Sequence, residues 1–334
     1  MYYVLLVWML GFYYSRKKPT LGYICAMMLP LFLMVAFRGA DVGSDTSRYL
    51  ASYISIQQGD SLSYTFDNFS VEKGYITFIW ILRQIGLEEH GLFFSEAIIF
   101  ISSIVVFCKR NTRDVPFMLV ATSLSLQEFA LTGIRQTIAI SIFLVAYEFA
   151  VKRKYIIYTA LILLASTFHT SIWMVYPLAF LINRNFDKKS ITIYLGILVF
   201  SFTFMNSIFS FVASSLEYDD RYVLQSLNAG YYSFFASLIF VIMLFRTYKS
   251  ESNNELFRPA AHLTIMNCMF SAIRFVNVMI MRVILYVSCF PYLMIDMMND
   301  HNPKKNTYKK IALVYLSAYI IYRTLFIEKF EFSW

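Results

Sequence analysis

Residues 21–37, LGYICAMMLPLFLMVAF, contain no charged side chain, whereas residues 38–50, RGADVGSDTSRYL, contain two arginines and two aspartates. A run of about 17–25 apolar residues is long enough to cross a lipid bilayer as a helix. The first segment therefore predicts a transmembrane helix that ends near Phe37. The charged segment that follows it is predicted to lie at a membrane surface.

The composition extends this interpretation to the whole chain. Of the 334 residues, 58% are hydrophobic and 15% are charged, and the mean hydropathy is +0.57. Soluble domains are about half apolar and about a quarter charged. Apolar runs recur from end to end, so we predict an all-α, polytopic integral membrane protein with about twelve helices. The predicted spans are about 2–15, 20–37, 92–108, 115–132, 134–151, 155–169, 170–183, 190–212, 230–247, 259–275, 278–298 and 310–327.

Several classes of function are disfavoured by the same composition. The net charge of +8 is not concentrated in a soluble domain, so we expect no nucleic-acid partner. The four cysteines are far apart and lie in apolar runs, which argues against disulfides and zinc. We find no phosphate-cradling glycine loop and no serine-hydrolase motif. We therefore expect neither a metal nor a cofactor.

Basic clusters indicate the orientation of the spans. They occur between alternate spans, at 16–18, 109–113, 152–154, 184–189, 246–249 and 304–310. The positive-inside rule places these clusters in the cytoplasm. Residues 1–334 then form a single transmembrane domain whose two main outer loops are 38–91 and 213–229. A span at 74–87 would move the cluster at 109–113 outside, so we predict an amphipathic or re-entrant helix there on the outer face.

Arginine predominates among the cations on the outer side. Ten of the 29 Lys and Arg residues lie there, and eight of those ten are Arg. The planar guanidinium donates two parallel hydrogen bonds to a phosphate and keeps its charge. The outer arginines thus suggest binding of a phosphate-bearing substrate. The alternative is that each one pairs with a nearby acid or with lipid headgroups.

Two groups of outer residues are candidates for chemistry. Proton transfer from a hydroxyl needs a base, and a departing phosphate needs cations and other donors. The candidate bases are Asp41, Asp45 and His169, and the candidate anion ligands are Arg38, Arg135, Gln136, Arg274 and Arg282. Structural roles stay open: Asp45 as a helix cap, Arg135 as a residue that snorkels to the interface, and His169 as a hydrogen-bonded turn residue.

The loop after residue 213 carries a second type of pattern. Tyr218, Asp219, Asp220 and Arg221 place an aromatic ring beside acids, and carboxylates accept hydrogen bonds from sugar hydroxyls while rings cover sugar faces. An ordinary solvated loop would have the same composition. Tyr286, four residues after Arg282 and on the same helix face, is a further candidate for sugar binding, as is Glu72.

Five stretches, in this order, resemble the EpsG-like family of bacterial polysaccharide polymerases, within the Wzy-type O-antigen polymerases. They are FRGADVGSDTSRY (37–49), EKGYITFIWILRQIG (72–86), GIRQTIAISIFL (133–144), KRKYIIYTALILLASTFHTSIWMVYPL (152–178) and MRVILY (281–286). The positions that match the family's motifs are Arg38, Asp45, Arg135, Gln136, His169 and Arg282.

The resemblance implies a GT-C-like membrane glycosyltransferase that uses no metal. Such an enzyme would lie in the bacterial cytoplasmic (inner) membrane with its active site facing the periplasm. It would move a glycan from undecaprenyl pyrophosphate onto another lipid-linked repeat unit. The expected partners are these lipid-linked donor and acceptor oligosaccharides, membrane lipids and a chain-length regulator protein.

Two other classes of function remain open from the residues. A flippase for lipid-linked oligosaccharides would also have about twelve spans, but would favour two related halves and ionisable residues at mid-membrane. We find no internal repeat, and the candidates lie near the outer side. An O-antigen ligase would use a similar set of cations with another acceptor. An acyltransferase would need a histidine to activate a hydroxyl, a role for which only His169 is placed near the outer face.

Overall fold

The computed structural model describes residues 2–15, 18–57, 61–186, 188–215 and 231–326. Within these ranges the chain is helical and contains no β-strand. The helices are α1 (Tyr2–Tyr14), α2 (Leu21–Ala36), α3 (Thr46–Gln57), α4 (Leu62–Asn68), α5 (Lys73–Gln84), α6 (Glu89–Asn111), α7 (Val115–Ala130), α8 (Ile134–Val151), α9 (Tyr155–Ser166), α10 (Leu178–Leu181), α11 (Lys188–Ser215), α12 (Tyr231–Glu251), α13 (Phe257–Ile273), α14 (Met281–Val287), α15 (Phe290–Met297) and α16 (Lys305–Phe326). Short 3₁₀ helices cover Thr170–Met174 and Val278–Ile280.

Helix length and composition support a membrane protein without confirming twelve spans. Among the residues that the structure describes, three helices are long and apolar enough to cross a bilayer, namely α6, α8 and α12, and several shorter apolar helices accompany them. Two predicted spans are interrupted instead of continuous. Residues 170–183 form a 3₁₀ helix and the four-residue α10, separated near Pro177. Residues 278–298 break before Pro291, because proline lacks the N–H that would continue the helical hydrogen bonds.

The chain divides into two compact units, each of which is described by itself. The first comprises Met1–Trp173 and Lys309–Trp334, and the second comprises Met174–Tyr308. The single transmembrane domain of the sequence analysis stays a prediction.

The first unit is built around α6 and α8. Helix α6 packs against α2 and α8, and α8 packs against α9. Phe93, Ala97, Phe100 and Ile104 recur every three to four residues along the buried side of α6. This spacing explains why one side of an otherwise apolar helix meets protein. Ile98, on another side of α6, is exposed.

The predicted outer loop at 38–91 is largely helical, since α3, α4, α5 and the start of α6 lie within it. Helix α5 has 12 residues, and at about 1.5 Å per residue it reaches only about 18 Å, well short of a bilayer core. Tyr75, Ile76, Ile79 and Leu82 form its buried side and join a core cluster with residues of α3, α6 and α8. The predicted helix at 74–87 therefore corresponds to α5, an amphipathic helix that ends at Gln84 and is packed on the rest of the unit.

In the second unit α13 packs against α12, α14 and α15. The carboxylate of Glu251, the last residue of α12, organises the turn after α15. It accepts hydrogen bonds from the backbone N–H of Asn299 at 3.0 Å and from the side-chain amides of Asn302 at 2.8 Å and Asn254 at 3.0 Å. Glu251 is buried, so these donors replace the water that the carboxylate loses on folding.

Candidate active site

Glu72 brings together two of the predicted site residues. Its Oε2 accepts a hydrogen bond from Nη1 of Arg135, and its Oε1 lies 3.3 Å from Nδ1 of His169. These partners are 63 and 97 residues away in the chain. We call Glu72, Arg135 and His169, together with Tyr49, the Glu72 cluster. Tyr49 belongs to it because the Arg135 guanidinium lies 5.8 Å from the centre of its ring.

The cluster is partly open to the outside of the protein. The exposed fraction of the side chain is 27% for Arg135, 17% for Glu72 and 10% for His169. The Arg135–Glu72 ion pair thus keeps some contact with solvent. A substrate could therefore reach the guanidinium without unfolding of the unit.

Close backbone packing sets the position of Glu72. Two residues further along, the N–H of Gly74 donates to the carbonyl oxygen of Thr167 at 2.9 Å. A β-carbon at Gly74 would lie 2.7 Å from that carbonyl oxygen and nearer still to the Thr167 hydroxyl. Only glycine allows this approach, which brings the first turn of α5 against the residues that precede His169.

A second glycine contact places the loop before α3. Gly43 has φ +84°, a conformation that favours glycine, and a β-carbon there would collide with the backbone of Leu131. The hydroxyl of Thr46 also donates to the carbonyl oxygen of Leu131, at 3.2 Å. This contact seats the residue 41–46 loop on the turn that leads into α8, and Leu131 lies four residues before Arg135.

The two aspartates of this loop are outside the hydrogen bonds of the Glu72 cluster. Asp41 is exposed. Asp45 forms a loose ion pair with Arg48, at 4.0 Å, on the exposed side of α3. Their assignment as bases stays a prediction, and His169 is the candidate base that the structure brings next to Arg135.

Arg38 occupies a different environment from the one expected of a phosphate ligand. Its side chain is fully buried, and Nη2 donates to Oε2 of Glu96 at 2.7 Å. Nη1 donates to the carbonyl oxygen of Val35 at 3.0 Å, and the guanidinium lies 4.2 Å from the centre of the Phe93 ring. A pyrophosphate could reach Arg38 only if this pair opened. Its role in substrate binding stays a prediction, while its contacts connect α2 to α6.

Gln136, the other predicted residue of α8, is buried in the first turn of that helix. Three further candidates belong to the second unit. Arg274 ends α13 and donates to the Ser233 hydroxyl at 3.4 Å, Arg282 is the second residue of α14, and Tyr286 is fully buried. Their assignments to pyrophosphate and sugar stay predictions. Tyr218, Asp219, Asp220 and Arg221 lie outside the described residues.

The neighbours of Glu72 control its charge. Burial alone would raise the pKa of the Glu72 carboxyl group, but the hydrogen bond from His169 and the charge of Arg135 outweigh that effect and lower it. Burial raises the pKa of Tyr49, although Arg135 beside it acts in the opposite direction. At neutral pH the cluster thus contains a carboxylate, a guanidinium and a neutral phenol.

Two acidic residues have roles that their sequence context does not show. Glu96 was not singled out, although a lone acid in an apolar run indicates a buried partner. Glu72 was assigned to sugar binding, and no local signal shows that it joins Arg135 to His169.

The arrangement suits acid–base chemistry next to an anion. A guanidinium can hold a phosphate, and an imidazole can take a proton near neutral pH. Among the described residues, no group of three His, Cys, Asp or Glu side chains is placed to hold a metal ion.

Comparison with known proteins gives one result. Neither the curated proteins nor the solved structures contain a match to this chain. The model of the EpsG family matches residues 22–334, a range that includes the whole Glu72 cluster. The chain therefore belongs to the EpsG family.

Proposed function

We propose that this protein is a polysaccharide polymerase: a glycosyltransferase that transfers a glycan from a lipid diphosphate onto a second lipid-linked repeat unit. The reaction would take place at the outer face of the bacterial cytoplasmic membrane. Membership of the EpsG family supports a role in polysaccharide synthesis. The observation that carries the proposal is the meeting of Arg135 and His169 at one carboxylate, on a partly exposed site.

The leaving group determines what the enzyme has to provide. A lipid diphosphate departs with the electron pair of the broken C–O bond, so the site needs cations where its negative charge develops. The guanidinium of Arg135 has five N–H donors, of which Nη1 donates to Glu72. The remaining donors would bind the diphosphate, and Arg282 stays a predicted anion ligand.

The acceptor hydroxyl has to lose a proton as its oxygen attacks the anomeric carbon. His169 is the proposed base. In the balanced step, the new C–O bond forms while the bond between the anomeric carbon and the diphosphate oxygen breaks. The proton of the hydroxyl moves to the imidazole and then leaves with the diphosphate or to water.

Complementation of a strain that lacks its polymerase tests the proposal, with the glycan ladder on a gel as the measurement. We expect Arg135→Ala, His169→Ala and Arg282→Ala each to leave single repeat units while the protein stays in the membrane. Arg48→Ala is the matched control, because this arginine is 78% exposed and only loosely paired. The control should give a full ladder.

The distribution of the product distinguishes the alternatives. Full ladders from all three variants would refute the proposed site. Single units retained on the cytoplasmic side would indicate a flippase, and polymer that is made but not attached to its final acceptor would indicate a ligase.

A further inference from the structure

We propose that Glu72 is a positioning residue that holds His169 with its proton on Nδ1, so that Nε2 is the atom that receives the proton of the acceptor hydroxyl. This inference rests on the proposed function for the identity of the reaction. Its structural content, a fixed tautomer, can be measured without any activity.

The carboxylate is engaged through both of its oxygens. Oε2 accepts from Arg135 and Oε1 lies at 3.3 Å from Nδ1 of His169. An ionised carboxylate only accepts hydrogen bonds, so the nitrogen facing it must carry the proton. In a neutral imidazole the lone pair then lies on Nε2, which defines the basic atom.

Glu72 also lies where a helix-capping carboxylate is usual, yet its side chain makes no capping hydrogen bond. The first turn of α5 relies on the backbone instead: the carbonyl oxygen of Glu72 accepts from the N–H groups of Tyr75 and Ile76, at 3.0 and 3.2 Å. The carboxylate does not cap its own helix and instead contacts Arg135 of α8 and His169.

Contacts on either side of the Glu72–His169 pair keep its members together. Gly74 meets Thr167 through the backbone hydrogen bond of 2.9 Å, and the rings of Phe78 and Phe168 meet edge to face at 6.2 Å. Two independent contacts between α5 and residues 167–168 thus fix the distance from Glu72 to His169. A rigid support of this kind is what a positioning residue needs.

The proposed step keeps charge in balance. When the acceptor proton reaches Nε2, the imidazole becomes an imidazolium, and the Glu72 carboxylate beside Nδ1 stabilises this charge. The proton on Nδ1 stays in place. Arg135, on the other oxygen of the same carboxylate, is held at a constant position relative to the base.

Glu72→Gln tests this role, since glutamine has nearly the same shape without the charge. In purified protein with lipid-linked repeat units, we expect kcat for elongation to fall about 100- to 10,000-fold. The KM for the substrate should change little. The loss of the carboxylate also disfavours the imidazolium, so the acidic limb of the pH–rate profile should move to lower pH.

A spectroscopic measurement keeps this inference separate from the proposed function. In protein labelled with ¹⁵N histidine, the His169 signals, assigned by their loss in His169→Asn, should show a proton on Nδ1. They should titrate at lower pH in Glu72→Gln. If the wild type forms no polymer, the proposed function fails while this result stands.

Gly74→Ala provides a second variant that retains the carboxylate. Its β-carbon would separate α5 from Thr167, so it should reduce kcat in the same direction as Glu72→Gln. Gly22→Ala is the control, since a β-carbon there meets nothing within 4 Å. An unchanged tautomer and titration in Glu72→Gln would overturn the inference. A raised KM with an unchanged kcat would also overturn it, and would make Glu72 a sugar ligand.

Discussion

The buried pair of Arg38 and Glu96 separates a structural role from a catalytic one. Both side chains are fully buried, and their charged atoms are 2.7 Å apart. At an effective dielectric constant of about 20, this separation corresponds to an attraction of about 6 kcal/mol. The cost of removing both groups from water offsets much of that attraction. Removal of one partner leaves a buried charge without its counter-charge.

We therefore expect Arg38→Met and Glu96→Leu each to lower the free energy of unfolding by about 3–5 kcal/mol. The double variant should be about as stable as the wild type, or more stable by about 1–4 kcal/mol. Methionine at position 38 keeps a contact with the Phe93 ring, because sulfur packs favourably against aromatic rings. Unfolding in mixed detergent micelles measures these differences.

The partly exposed pair of Arg110 and Glu148, at 3.2 Å, is the matched control. Replacement of this arginine by methionine and of this glutamate by leucine should change the free energy of unfolding by about 1 kcal/mol or less. An Arg38→Met, Glu96→Leu double variant as unstable as the worse single variant would refute the structural role of this pair. If that double variant folds but forms no polymer in the complementation assay, Arg38 acts on the substrate, as the sequence analysis predicted.

Three further predictions concern stability and use the same unfolding measurement. Gly43→Ala should lower the free energy of unfolding by about 1–3 kcal/mol, because position 43 has a positive φ and the new β-carbon would meet the backbone of Leu131. Gly22→Ala, the control, should not lower it. Equal effects of the two substitutions would contradict this explanation. The wild type should have a higher free energy of unfolding than Glu72→Gln. This difference should be complete above the unfolded-state pKa of about 4.3 and should be lost as pH falls through the lower folded-state pKa of Glu72. A difference that does not depend on pH would show that the charge of Glu72 does not matter. Glu251→Ala should cost about 3 kcal/mol, since it leaves buried donors without an acceptor, and a loss under 1 kcal/mol would show that water replaces the carboxylate.

The sequence alone determined most of the helices, because an apolar run of sufficient length is a local property. The span predicted at 134–151 coincides with α8, Ile134–Val151, and the run at 20–37 corresponds to α2, Leu21–Ala36. The short motifs also led to the family, which the match over residues 22–334 confirms. Arg135 and His169 were identified as candidates because a cation and an imidazole at a predicted membrane surface are chemically conspicuous.

Only the tertiary structure decided which acid meets which base. Arg38 follows the end of an apolar helix, and Arg135 lies at the start of another. Their local composition therefore does not distinguish them. Folding pairs Arg38 with the fully buried Glu96, 58 residues away, and places Arg135 with the partly exposed Glu72, 63 residues away. Electrostatic attraction acts through space, so no spacing along the chain reveals these choices. The close approach of Gly74 to Thr167 shows the same principle, since it takes a folded chain to bring Glu72 beside His169.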